Sequence, residues 1–121
     1  MNRPDEPVGT DAAGAWERID IRCGVVVRAR HFPEARRPAI KLEIDFGPGL
    51  GRLQSSAQLT RRYRPEELEG REVLAAVNLG PRRIAGYRSD VLVLGLVSED
   101  DPADVVLIGP DRPGMKGRRL A

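Results

Sequence analysis

The chain of 121 residues sets 20 Lys and Arg against 18 Asp and Glu, a formal charge of +2, and is 40% hydrophobic. That is globular composition: it excludes a wholly disordered, collagenous or membrane-spanning chain, and the length suits one domain around one core. Val91 to Val97, the longest apolar run, falls far short of the roughly 20 residues that cross a bilayer, so no membrane insertion is expected.

Residues 1–13 are rich in Pro, Gly, Asp and Ala and lack an apolar period, so they are expected to form a flexible acidic arm, with a single domain over 14–121. The opening segment has neither the apolar run nor the cleavage site of a secretory signal, which makes the cytoplasm the expected location. Ala15 to Ile19 is predicted as a helical turn anchored by Trp16. Ile19, Ile21, Cys23, Val25, Val27 and Ala29 then alternate with Asp20, Arg22, Val26 and Arg28, the period of a half-buried strand, in which Gly24 signals a bend or bulge. Pro33 and Pro38 make 32–38 a loop. In strand two Ile40, Leu42, Ile44 and Phe46 face inward while Lys41, Glu43 and Asp45 face outward.

Gly47-Pro48-Gly49 turns the chain into a polar strand from Arg52 to Gln58. Pro65 to Gly70 reads as a short helix, with proline first, acids in the first turn and glycine as the stop. Glu72 to Asn78 and Asp90 to Val97 are the next strands, separated by a loop from Gly80 to Tyr87. Val105 to Ile108 is the last strand before the basic tail, Asp111 to Ala121. Five or six short strands with one small helix after the third predict an all-β chain. The expected architecture is an OB-fold, a five-stranded Greek-key barrel with short helices and terminal extensions, and a sandwich is its competitor.

Chemistry is limited by what the chain lacks. One cysteine, Cys23, and one histidine, His31, cannot make an internal disulfide, a His/Cys zinc cluster or most His-dependent nucleophile arrangements. No catalytic residue, metal or cofactor is therefore expected. Gly47 to Gly51 fits neither a dinucleotide fingerprint nor a P-loop, and Glu66, Glu67, Glu69 and Glu72 read as a solvated helix face rather than an acid–base pair.

The placement of basic charge is more informative. Of the cations, 18 are Arg and 2 are Lys. Arg28, Arg30, Arg36, Arg37 and Lys41 stand against Glu34 alone, and residues 58–88 carry a further basic excess, while acid collects in residues 1–20 and in Glu99, Asp100, Asp101 and Asp104. Two readings fit: a basic face that meets phosphates, or a solvated arginine surface. Gln54, Ser55, Ser56 and Gln58 are small donors and acceptors that let a ligand approach the backbone, or else a bulge-prone edge strand. Arg82 and Arg83 with Arg88 offer guanidinium forks to phosphate oxygens, or else a charged solvent loop. Aromatics are only 4% of the chain, too few for a base-stacking platform, so recognition of RNA backbone shape is the better fit if nucleic acid is the ligand.

Several blocks share one resemblance. Asp20-Ile21-Arg22-Cys23-Gly24, Phe32-Pro33-Glu34-Ala35, the run from Pro38 to Gly47, the run from Gln54 to Thr60, and the run from Asn78 to Gly86 resemble the tRNA-binding-domain family, in order and with compatible spacing. The resemblance implies an OB-fold homodimer without catalytic activity, related to the tRNA-binding domains appended to some aminoacyl-tRNA synthetases. One bacterial branch is described as a chaperone-like factor of protein export that binds unfolded or precursor polypeptides. By position, Gln54, Ser55, Ser56 and Gln58 match the family's polar strand, and Asn78, Arg82, Arg83 and Ser89 match its groove. Leu79-Gly80-Pro81 departs from the aromatic and two prolines expected there. The resulting expectation is a homodimer that binds structured RNA, above all tRNA, through these residues with Arg36 and Arg37. Its alternative is the polypeptide-binding chaperone.

Overall fold

A computed structural model describes residues 11–121. Helix α1 spans Ala12–Arg18 and β1 spans Ile21–His31. The helix thus begins three residues before the turn expected at Ala15, and the expected arm lies outside the described residues except for its last three. Strand β2 (Ile40–Asp45) and strand β3 (Arg52–Ala57) follow as predicted, then α2 (Pro65–Leu68) and β4 (Glu72–Ala76). The Glu67 carboxylate accepts the Arg64 N–H at 2.8 Å, which seats the first turn of α2, and both Pro65 and Leu68 are buried.

Residues 80–87, expected to be a loop, instead build half of a hairpin, β5 (Arg82–Ile84) against β6 (Tyr87–Ser89). The long strand expected from Asp90 to Val97 is broken in two, β7 (Leu92–Val93) and β8 (Gly95–Val97), and β8 pairs with β9 (Val105–Leu107). An added Cβ at Gly95 would lie 2.5 Å from Val105 and 2.9 Å from the Val106 carbonyl. The chain can approach β9 that closely only because position 95 has no side chain.

The main sheet has the antiparallel order β3-β2-β1-β4-β7. The core it encloses is built of Val26, Ile40, Leu42, Ile44, Phe46, Leu59, Leu68, Val73, Ala75 and Val91, with Leu68 supplied by α2. The alternation of β2 therefore reads correctly: Ile40, Leu42 and Ile44 are fully buried, each stabilising the fold by about 1.5–3 kcal/mol relative to exposure. In β1 the phase differs from expectation. Val26 is core, whereas Val25 and Val27 are only half-buried. The register against β2 shifts between Val26 and Arg28, so the bulge lies there and not at Gly24. Glycine at 24 serves a different purpose: an added Cβ would lie 2.5 Å from Ile44 Cγ2 and 2.7 Å from the Phe46 ring.

Ile21 and Cys23 are buried on the opposite face of β1, under the C-terminal tail. Cys23 N–H donates to the Arg118 carbonyl (2.9 Å), Gly117 N–H to the Cys23 carbonyl (2.7 Å) and Leu120 N–H to the Ile21 carbonyl (2.8 Å). The tail thus adds to the stretch of β1 that β2 leaves unpaired. Burial, then the Glu72 charge 3.8 Å away, push the Cys23 thiol up to about 11, so it stays a neutral thiol at physiological pH.

Closure of the sheet comes from β3. Its free edge meets the segment from Arg88 to Val91: Asp90 N–H donates to the Gln54 carbonyl at 2.8 Å, Gln54 N–H to the Asp90 carboxylate at 3.1 Å, and Ser56 N–H to the Ser89 hydroxyl at 3.0 Å. The result is a nearly closed five-stranded barrel of the OB type.

Candidate functional site

Barrel closure decides what the polar strand can do. Ser55 is 1% exposed and its hydroxyl donates to the Val91 carbonyl at 2.9 Å. Ser89 is also buried, accepting from Ser56 and donating to the same Val91 carbonyl at 3.4 Å. These two hydroxyls are spent inside, as buried polar groups must be. The Gln54 side-chain amide donates to the Arg88 carbonyl at 2.6 Å. Gln58 stands exposed just past the end of β3. Asn78 lies elsewhere, at the start of β1: its amide donates to the Arg18 carbonyl (2.7 Å) and its oxygen accepts the Asp20 N–H (2.9 Å). It fastens the end of α1 to the exit of β4.

The cations are gathered more closely. Arg30 pairs with Lys41 and Lys41 with Ser56 across β1, β2 and β3; one step along, Arg28 pairs with Glu43 and Glu43 with Gln54. Residues opposite one another in antiparallel strands share a face, so this outward face carries Arg28, Arg30, Lys41, Glu43, Gln54 and Ser56. At its end stands the loop between β1 and β2, which bears Arg36 and Arg37, both exposed. Beside β3 stands the β5–β6 hairpin with Arg82 and Arg83, also exposed. The two arms meet through aromatic contacts. Phe32, at the base of the loop, packs edge-to-face on Tyr87 of the hairpin at 5.4 Å, and the Lys41 ammonium lies 4.5 Å from the Phe32 ring centre and 4.7 Å from that of Tyr87.

Arg88 differs from its neighbours. It is paired with Asp90 at 2.9 Å, and so holds the closure. Among the described residues no carboxylate lies within ion-pair distance of Arg36, Arg37, Arg82 or Arg83. Arg28 keeps only a loose pair with Glu43 at 3.7 Å. Tyr87 has its phenol pushed above the ordinary value, by burial first, with the Arg30 charge acting against the shift. The arrangement presents guanidinium groups on two arms flanking a strip of amide and hydroxyl, a geometry suited to phosphate oxygens at several points. Both arginine pairs are legible in the sequence as clusters of cations, whereas the joint between them is not. Alternation along β2 turns Lys41 outward; that Phe32 and Tyr87 enclose it depends on long-range closure, which no local pattern reports.

Residues 21–119 match the family model described as "Putative tRNA binding domain". The chain belongs to the tRNA-binding-domain family. Within this family it is 32% identical over 104 residues to the methionine–tRNA ligase of Methanocaldococcus jannaschii, a match covering 86% of this chain and 15% of that enzyme. The chain thus spans about a seventh of the length of such curated relatives. Among solved structures, the chaperone CsaA of Bacillus anthracis str. Ames is 47% identical with a TM-score of 0.86, covering 93% of this chain and 100% of the other. The CsaA chaperone protein of Picrophilus torridus is 38% identical with a TM-score of 0.82, over 91% and 98% of the two chains. OB-folds in general take ligands on the face of strands 2 and 3 and its adjoining loops; in this chain the two arginine arms stand beside the outward β2–β3 face.

Proposed function

We propose that the chain binds structured RNA, tRNA above all, in the cytoplasm and without chemistry of its own. The observation that carries this reading is the set Arg36, Arg37, Arg82 and Arg83, free of carboxylates among the described residues and carried by the β1–β2 loop and the β5–β6 hairpin on either side of the outward β2–β3 face. Membership of the tRNA-binding-domain family supports it. Gln54, Ser56 and Gln58 line the path between the arms, while Ser55, Ser89 and Asn78 act as supports, since their polar atoms are used to close the barrel and fasten α1.

The test is tRNA titration over a range of salt. Affinity should fall steeply as salt rises, because each neutralised phosphate releases counterion. Replacing Arg82 and Arg83 by alanine should weaken binding and shallow the log–log slope by roughly one unit per lost phosphate contact. Absence of tRNA retention at about 50 mM salt, where electrostatic binding is strong, would overturn the reading.

The proposal includes a homodimer, supported by the exposed apolar residues Leu92, Leu96, Val97 and Val106 on β7 to β9. A second reading, binding of unfolded or precursor polypeptides, is favoured by the same apolar strip and by the likeness to two proteins named as chaperones. Polypeptide binding by apolar burial would persist at high salt and carry a negative heat-capacity change, which separates it from the RNA activity in one preparation.

A further inference from the structure

Lys41 occupies a position that strand pairing alone does not favour. It stands directly opposite Arg30 in the β1–β2 register, and like charges opposite one another destabilise a sheet. Its ammonium is nevertheless held over two rings at once, 4.5 Å from Phe32 and 4.7 Å from Tyr87. Both distances lie within the range in which a ring face attracts a cation. The two rings belong to different arms. Phe32 is 3% exposed and closes its own loop, donating its N–H to the Ala39 carbonyl at 3.0 Å and accepting the Ala35 N–H at 3.2 Å. Tyr87 belongs to β6, opposite Ile84 and next to the Arg83–Arg88 pair. The β5–β6 hairpin forms a separate two-stranded sheet; its β6 side is anchored to β3 through Gln54 and Ser56, and the Phe32, Tyr87 and Lys41 contacts join it to the β1–β2 loop.

We propose that Lys41 is a positioning residue, which by bridging Phe32 and Tyr87 fixes the separation between Arg36 and Arg37 on one arm and Arg82 and Arg83 on the other. This rests on the RNA-binding reading and adds to it the element that sets the spacing of its phosphate contacts. A ligand with rigid backbone geometry, such as a folded RNA, gains from two arms held in register, because it does not have to order them on binding. A flexible single strand gains little.

The experiment compares tRNA affinity for Lys41→Met, Tyr87→Leu, the double variant and Lys41→Arg. Tyr87→Leu keeps every charge. Each single change is expected to lower affinity by about fivefold, the double change by no more than either single one, and Lys41→Arg to recover most of the loss by restoring a cation over both rings. Non-additivity of this kind marks two residues acting as one unit. In the RNA-free protein, Lys41→Met should also speed amide hydrogen exchange at residues 82–89 while the core amides of β2 keep their protection, a control against general unfolding.

If Lys41 were only a phosphate contact, Tyr87→Leu would bind like wild type, the hairpin amides would exchange at the wild-type rate, and the role proposed here would be overturned. Wild-type protein that fails to retain tRNA overturns the RNA reading and the positioning role together. Wild-type binding with unaffected variants overturns the positioning role alone.

Discussion

At Ala85 the backbone enters the left-handed region, φ 47°, followed by Gly86 at φ 80°. Two consecutive positive φ values between paired strands suit a two-residue hairpin loop of the type that prefers Asn-Gly. Gly86 takes this conformation without steric cost, but at Ala85 the Cβ approaches the carbonyl oxygen, at a cost of roughly 1–2 kcal/mol. Ala85→Asn is therefore expected to stabilise the protein by about 0.5–1 kcal/mol, read as a rise in the denaturant midpoint with an unchanged slope. A lower midpoint would show that the methyl group makes a packing contribution at the tip. The same residue explains why the hairpin is hard to see in the sequence. Ala85 carries no turn signal of its own, and Pro81 and Gly80 mark the segment as irregular just before three residues that pair.

The tail is the element least legible in the chain, because its partners are far away in sequence. Gly114 and Met115 donate their N–H groups to the Glu72 carboxylate at 3.0 and 2.6 Å, the Lys116 ammonium meets Asp45 at 3.2 Å, and Arg119 meets Asp20 at 3.6 Å. Asp20 is held below the ordinary carboxylate value first by its hydrogen bond from Arg22, and Asp45 first by the Gly47 N–H and then by Lys116. A carboxylate whose folded pKa is depressed contributes stability that is complete above its unfolded value, about 3.9, and disappears as pH falls through the folded one. Lys116 and Arg119 of the tail are lesser causes of these shifts, so acid should weaken the tail's ion pairs to Asp45 and Asp20 and loosen the tail before the barrel opens. The expected observation, below about pH 4, is loss of exchange protection at Cys23, Gly117 and Leu120 while β2 and β3 stay protected; simultaneous loss everywhere would contradict it. Strands β2 and β3 were readable because alternation is a local property. The inward phase of β1 was not, since the bulge between Val26 and Arg28 reverses it. Gln54 and Ser56 were rightly seen as an unusual polar strand, yet only the closed barrel shows that Ser55 points into the core.

At the scale of the whole molecule, the barrel carries apolar surface that stands exposed among the described residues. Leu96 and Val106 stand opposite one another in the β8–β9 pair and are 65% and 38% exposed, while Leu92 on β7 and Val97 on β8 are 53% and 57% exposed. Single exposed leucines are ordinary on a protein surface, but several on adjacent short strands make the kind of patch that marks an association site. Trp16, Ile19 and Leu120 line a shallow hollow of about 340 Å³ between α1 and the tail, a second apolar surface. A two-fold dimer presents the same patch twice, so one substitution alters the interface on both sides. Leu96→Glu is expected to convert a dimer into a monomer in light scattering at micromolar concentration without altering the far-ultraviolet circular dichroism, because the side chain is already turned away from the core. A wild-type scattering mass equal to one chain would refute the dimer. If the dimer stands, it sets two arginine faces on one particle, and the monomeric variant should lose affinity for tRNA only if both faces engage one RNA, since avidity requires that the geometry allow simultaneous contact. Equal affinity per chain in the two forms would instead mean that a single face, with its two arms and the Lys41 bridge, is the complete binding unit.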